Sequence, residues 1–99
     1  MKTKVCFRKY SNGEVCAVFP NDFHNHHAVL VFDRDSGHGG AAFGYIYDLT
    51  KPASPSEYEM TKRCLVENYG YDLKILSRMP PVQNVLNARN DYFFSQKGK

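Results

Sequence analysis

Tryptophan is absent from these 99 residues, and cysteine is scarce: three, an odd number, none in CxxC spacing. That pattern argues against a disulfide framework, so reduced and mostly buried thiols are expected. No apolar run approaches the length of a membrane helix, and the opening MKTKV lacks the apolar region of a signal peptide. The expectation is a cytoplasmic protein (host-cell cytoplasm if viral) that makes no membrane contact. Acids are missing from residues 1–10, which carry Lys2, Lys4, Arg8 and Lys9. Residues 74–99 hold five bases against Asp91 alone, whereas the middle has four bases against nine acids. Basic ends suit an anionic partner, or are an ordinary solvated surface.

Catalytic signatures are missing as well. There is no GxSxG, no P-loop lysine, and no cysteine in an activating context. Glu57 and Glu59 are two apart, so they do not share a helical face. An enzyme is not expected. The motif GHGGAA fits a G-x-G-x-x-A dinucleotide fingerprint, but that mechanism needs a helix to open there and FGYIY reads as strand.

What is present is a run of alternating segments. Lys4–Tyr10 and Val15–Phe19 flank Ser11-Asn12-Gly13-Glu14, and Asn-Gly between such runs predicts a two-residue type I′ hairpin. Phe7 should then face Val18, Cys6 should face Phe19, and Cys16 should face Lys9. The thiols of Cys6 and Cys16 would lie on opposite sides and could neither pair nor share a metal. Pro20 closes the second strand, NDFHNHH forms a loop, AVLVF (28–32) is a buried third strand, and residues 33–37 turn. Ala42–Tyr47 is a fourth strand with Phe43, Tyr45 and Tyr47 on one face, and residues 50–53 connect.

Ser54-Pro55-Ser56-Glu57 joins a capping box to proline at the first helical position, predicting a helix over 55–69 ended by Gly70. A strand over 71–77 points Tyr71, Leu73 and Ile75 inward. A second helix follows Pro80-Pro81 to about Phe94, burying Val82, Val85, Leu86 and Phe93. The expected architecture is one α+β domain over residues 1–94, a mostly antiparallel sheet with two helices in the order ββββαβα, and a disordered tail at 95–99.

Two constellations could bind. Three of the four histidines, His24, His26 and His27, stand within four positions, and His38 follows in GHGG. Imidazoles so spaced suit a structural zinc, with Asp22, Asp33 and Asp35 near enough to ligate or orient them. The other reading is a polar loop. Second, FGYI matches the middle of the aromatic RNA-recognition motif. Phe43, Tyr45 and Tyr47 would stack bases of RNA or single-stranded DNA while Arg8, Lys9 and the basic ends hold phosphates.

The layout KVCFRKYSNGEVCAVFP, then SGHGGAAFGY, then TKPASPSEYEMTKRCLVENYGYDLKIL resembles a small family of uncharacterised bacteriophage and mobile-element proteins. That family joins an opening "KV-FRK…GEV-A-FP" hairpin to a "GQHGAA-Y" turn and a "TKPATPEEY…GY-LKV" unit. The resemblance spans roughly residues 3–76, and His38 falls on the histidine of the family's turn. It implies a setting rather than a reaction. Small accessory proteins of that setting without enzyme motifs often act by binding a host protein, so a non-enzymatic protein that binds and inhibits one is expected. Such an effector would be one that handles nucleic acid, such as a defence nuclease, as anti-CRISPR proteins do.

Overall fold

A computed structural model describes residues 2–97. The elements in chain order are β1 (Thr3–Tyr10), β2 (Val15–Asn25), β3 (Ala28–Asp33), β4 (Gly37–Ala42), α1 (Phe43–Leu49), β5 (Thr50–Pro52), α2 (Pro55–Tyr69), β6 (Leu73–Leu76) and α3 (Val82–Lys97). The α+β expectation holds, with three helices rather than two and six strands rather than five among the described residues. Neighbouring strands run β4-β3-β2-β1-β5, and β6 pairs β1 in parallel beside β5. All other pairings are antiparallel.

Helices cover both faces of the sheet. On one, Leu65 of α2 packs with Val5, Phe7, Ala17, Phe19 and Phe32. On the other, Ile46 of α1 and Val85 of α3 pack with Cys16, Val18, Phe23, Val29 and Val31. Alternation along β1 and β2 sends odd and even residues to opposite cores. Among the described residues no helix is long and apolar enough to cross a membrane.

The first hairpin forms, but its register differs from the type I′ expectation. Cys6 stands opposite Val18, Phe7 opposite Ala17, Arg8 opposite Cys16 and Lys9 opposite Val15. A type I′ turn needs positive φ at both central residues. Here only Gly13 has it, at 89°. Asn12 instead accepts a hydrogen bond from the Glu14 amide at 3.0 Å through its side-chain oxygen. The loop is therefore three residues long, closed by a 2.8 Å bond from the Tyr10 amide to the Glu14 carbonyl. One extra loop residue turns one strand over relative to the other. Cys6, Arg8, Cys16 and Val18 consequently share a face, correcting the expectation that the two thiols lie on opposite sides.

Beyond Pro20, β2 continues where a loop was expected. Proline cannot donate to a ladder, and the register breaks between Phe19 and Phe23 and again between Phe23 and Asn25. The first break turns Phe23 to the opposite core from Phe19. The second hairpin then turns at His26-His27, where Asn25 accepts from the His27 amide at 2.8 Å.

The expected aromatic strand is a helix. Over FGYIYDL, strand geometry would align Phe43, Tyr45 and Tyr47; a helix aligns Phe43, Ile46 and Tyr47. Ile46 is fully buried, with Phe43 and Tyr47 packed against the same core, while Tyr45 is 45% exposed. The actual fourth strand is the glycine-rich GHGGAA.

Helix α2 has the predicted bounds, its capping box at Ser54 and Glu57, and Gly70 at φ 73°. In β6, Leu73 packs inward with Tyr71, but Ile75 is 39% exposed. In α3, Val85 is buried and Phe93 packs on the core, whereas Val82, the first residue of the helix, is 46% exposed. The tail expectation at 95–99 is corrected for 95–97, which continue α3, and residues 98–99 lie outside the described residues.

Candidate interaction edge

Among the described residues strand β4 ends the sheet, and no further strand pairs with its outer side. It pairs with β3 without interruption from Asp33–Gly37 to Ala28–Ala42. Its six residues, GHGGAA, hold no charge and no proline, and the pairing contains no bulge. Main-chain donors and acceptors along such an edge are free to pair with another extended segment.

The side chains around it are aromatic. The Nε2 of His38 and the Tyr71 hydroxyl share a hydrogen bond of 2.9 Å. The same ring lies 4.9 Å from Phe32 and 5.1 Å from Tyr69, centre to centre. His24 lies over Gly40 so closely that a Cβ there would stand 2.7 Å from its ring. Gly40 is thus required by a close approach, whereas at Gly39 a side chain would meet open space. Burial pushes the Asp22 carboxyl up from its usual range. Burial raises the Tyr71 phenol first, and the Asp22 charge adds to it.

The four histidines do not form one site. His38 lies on the α2 side of β4, against Phe32 and Tyr69, and His24 covers Gly40 two residues along the same strand face. His26 lies on the other side, stacked on Phe93 at 4.0 Å, with its carbonyl accepting from Arg89 at 3.1 Å. His27 is exposed at the hairpin turn. The register break between Phe23 and Asn25 and the turn at His26-His27 separate rings that are neighbours in sequence. Among the described residues no group of three or more His, Cys, Asp or Glu side chains could hold a metal ion.

The residues expected to bind nucleic acid are dispersed too. Tyr47 donates its hydroxyl to the Pro80 carbonyl, Phe43 faces the core beneath Arg89, and Tyr45 alone of the three is well exposed, against Tyr10. Arg8 is 8% exposed and donates to Thr50 Oγ1 at 2.9 Å and to the Thr50 carbonyl at 2.8 Å. These acceptors, not a carboxylate, satisfy its buried guanidinium. Burial raises the thiols of Cys6 and Cys16 beside it, the opposite of an activated nucleophile. Lys9 pairs with Glu57 at 2.5 Å, and its donation, with that of Ser54, holds the Glu57 carboxyl down at about 2.

The opposite side of the sheet differs. There β5 has three residues including Lys51 and Pro52, and β6 has four including Lys74. Sequence reading missed the β4 edge because a strand of glycine and alanine has no polar–apolar alternation to detect. The one available signal was the absence of charge over Gly37–Ala42. Compared with known proteins, the chain matches no family model, no curated protein and no solved structure.

Proposed function

We propose that this chain is a non-catalytic accessory protein of the bacteriophage and mobile-element kind its motifs resemble. It binds and inhibits a host effector protein by joining β4 to an extended segment of that partner. The observation that carries this reading is the regular, uncharged run of β4, whose outer side pairs with no further strand among the described residues. An open edge supplies affinity through main-chain hydrogen bonds, while side chains flanking the added strand set specificity. Tyr69, 52% exposed and in contact with His38, is placed to supply such a flank. The effector class that the resemblance implies is one that handles nucleic acid, and inhibition follows when the docked protein covers its nucleic-acid channel.

A photo-crosslinking side chain at Gly39, introduced in host cells, identifies the partner by mass spectrometry. Calorimetry on the purified pair then compares the parent with Gly39→Lys, a charge placed where the fold has room for it. Affinity is expected to fall by roughly tenfold or more, because lysine on an edge opposes strand addition. Unchanged affinity would place the contact elsewhere and sink this reading.

Direct binding of RNA or single-stranded DNA has one observation in its favour. The β1–β6 pairing sets Lys4 beside Lys74, bringing the two basic ends of the sequence together. Binding of labelled oligo(dT) and oligo(U) through Lys2, Lys4 and Lys74 would lose affinity with salt at a log–log slope of about −2. A flat titration at low salt would end this second reading.

A further inference from the structure

On the face of the sheet away from α2, α1 and the segment joining β6 to α3 form the walls of a groove of about 670 Å³. Phe43 and Tyr47 line one wall, Met79, Pro80 and Pro81 the other, and the Tyr47 hydroxyl ties the walls together at the Pro80 carbonyl. The volume lies in the range of small-molecule sites, which combine apolar walls with a few placed polar groups.

Two such groups are present. Asp48 stands on the α1 wall and Arg78 on the other. Among the described residues neither takes part in an ion pair, with the other or with any other side chain. The helical wall also has a gap at Gly44, where the nearest atom to an added Cβ is Asp48 Oδ2 at 3.9 Å. An apolar trough with one unpaired charge of each sign on facing walls is complementary to an apolar body carrying both charges.

We propose that this groove binds a short apolar peptide with free ends, two or three residues long. Its carboxylate would sit on Arg78, its ammonium on Asp48, and its side chains between Tyr47 and the Met79–Pro81 wall. Three extended residues span roughly 10 Å, which sets the reach of the proposed occupant. Guanidinium suits the carboxylate because its paired N–H groups match the two oxygens. The site is independent of the β4 edge.

The chain's lack of Trp makes the test direct, since Leu-Trp-Leu can be followed by its own emission. Saturable binding of the free tripeptide is expected, weakened about tenfold by N-acetylation and about tenfold by C-amidation, with the doubly capped peptide weakest. Arg78→Ala should weaken the free peptide as much as amidation does and leave the amidated peptide unaffected. Asp48→Asn should behave likewise toward acetylation. Gly44→Phe fills the groove and should abolish binding without lowering the melting temperature, since an added Cβ in this first turn of α1 meets only Asp48 Oδ2, at 3.9 Å. Equal affinity for free and doubly capped peptides, binding that survives Gly44→Phe, or no saturable binding of Leu-Trp-Leu would each overturn the proposal.

Discussion

On one side of the sheet β4 runs six residues with no charge, proline or bulge. On the other, β1 is flanked by two short pieces, β5 with Lys51 and Pro52 and β6 with Lys74. Both sides present main-chain groups that could recruit a stray strand, but only the second carries the features by which proteins discourage that: shortness, proline and lysine. The contrast is what singles out β4 as the edge for the proposed docking. It also gives the Gly39→Lys experiment its counterpart. A charge added to β4 should remove an association, and a charge removed from β6 should create one.

Within β4 the comparison sharpens to two adjacent glycines. Gly40→Val drives a branched side chain into His24, whose ring and Cβ are within 2.8 Å of the new Cβ. Overpacking of this kind is expected to cost about 1–3 kcal/mol, read from the midpoint of urea unfolding. Gly39→Val meets open space, and strand propensity favours valine, so stability should hold or rise by up to about 1 kcal/mol. Pairing Gly40→Val with His24→Ala should recover only the part of the loss due to the ring, because the Cβ of residue 24 stays at 2.8 Å. Equal stability of the two single variants would mean that His24 does not rest on β4.

The opposite edge is tested by Lys74→Val. Lys74 is exposed and stands beside Lys4 across the β1–β6 pair. Folding stability should change by no more than about 0.5 kcal/mol, as for an ordinary surface substitution. Apparent mass by light scattering should nevertheless rise with concentration, since β6 would lose its charged guard and carry a branched apolar side chain next to Ile75. A variant that stays monomeric at every concentration would show that shortness and proline suffice on that side.

How legible this was from sequence depended on how local each signal is. Ser54, Pro55, Glu57 and Gly70 define α2 to the residue, because capping is settled within one turn at each end. The first hairpin was legible, but its register turned on whether Asn12 would adopt positive φ or use its side-chain oxygen, and both are ordinary roles of asparagine. FGYIYDL satisfies the strand period through Phe43, Tyr45 and Tyr47 and the helix period through Phe43, Ile46 and Tyr47. Tertiary burial of Ile46 decided between them. The histidine cluster failed for a further reason. Side chains adjacent in sequence share a site only if the backbone keeps its period, and the register break between Phe23 and Asn25, followed by the turn, separates His24 from His26. The β4 edge left only a negative signal, the absence of charge over Gly37–Ala42, because its defining property is what its side chains lack.

The smallest expected effect is a difference in how the two sides respond to acid. Near β5, Glu57 is held at about 2 by Lys9 and Ser54, well below its ordinary 4.5. A depressed carboxyl supports the fold above its ordinary value, and that support is lost as the pH falls from about 4.5 toward 2. Beside β4, Asp22 behaves oppositely. Burial raises its folded value, so its ionised form opposes folding, and protonation relieves that as the pH falls through the raised value. Melting temperature followed through the acid range should therefore fall less steeply in Glu57→Gln than in the parent. Asp22→Asn should melt slightly higher at neutral pH, by a few degrees at most, and lose that advantage in acid. If Glu57→Gln leaves the acid slope unchanged, the Lys9–Glu57 contact adds nothing to the anchoring of α2, and the guarded side of the sheet rests on packing alone.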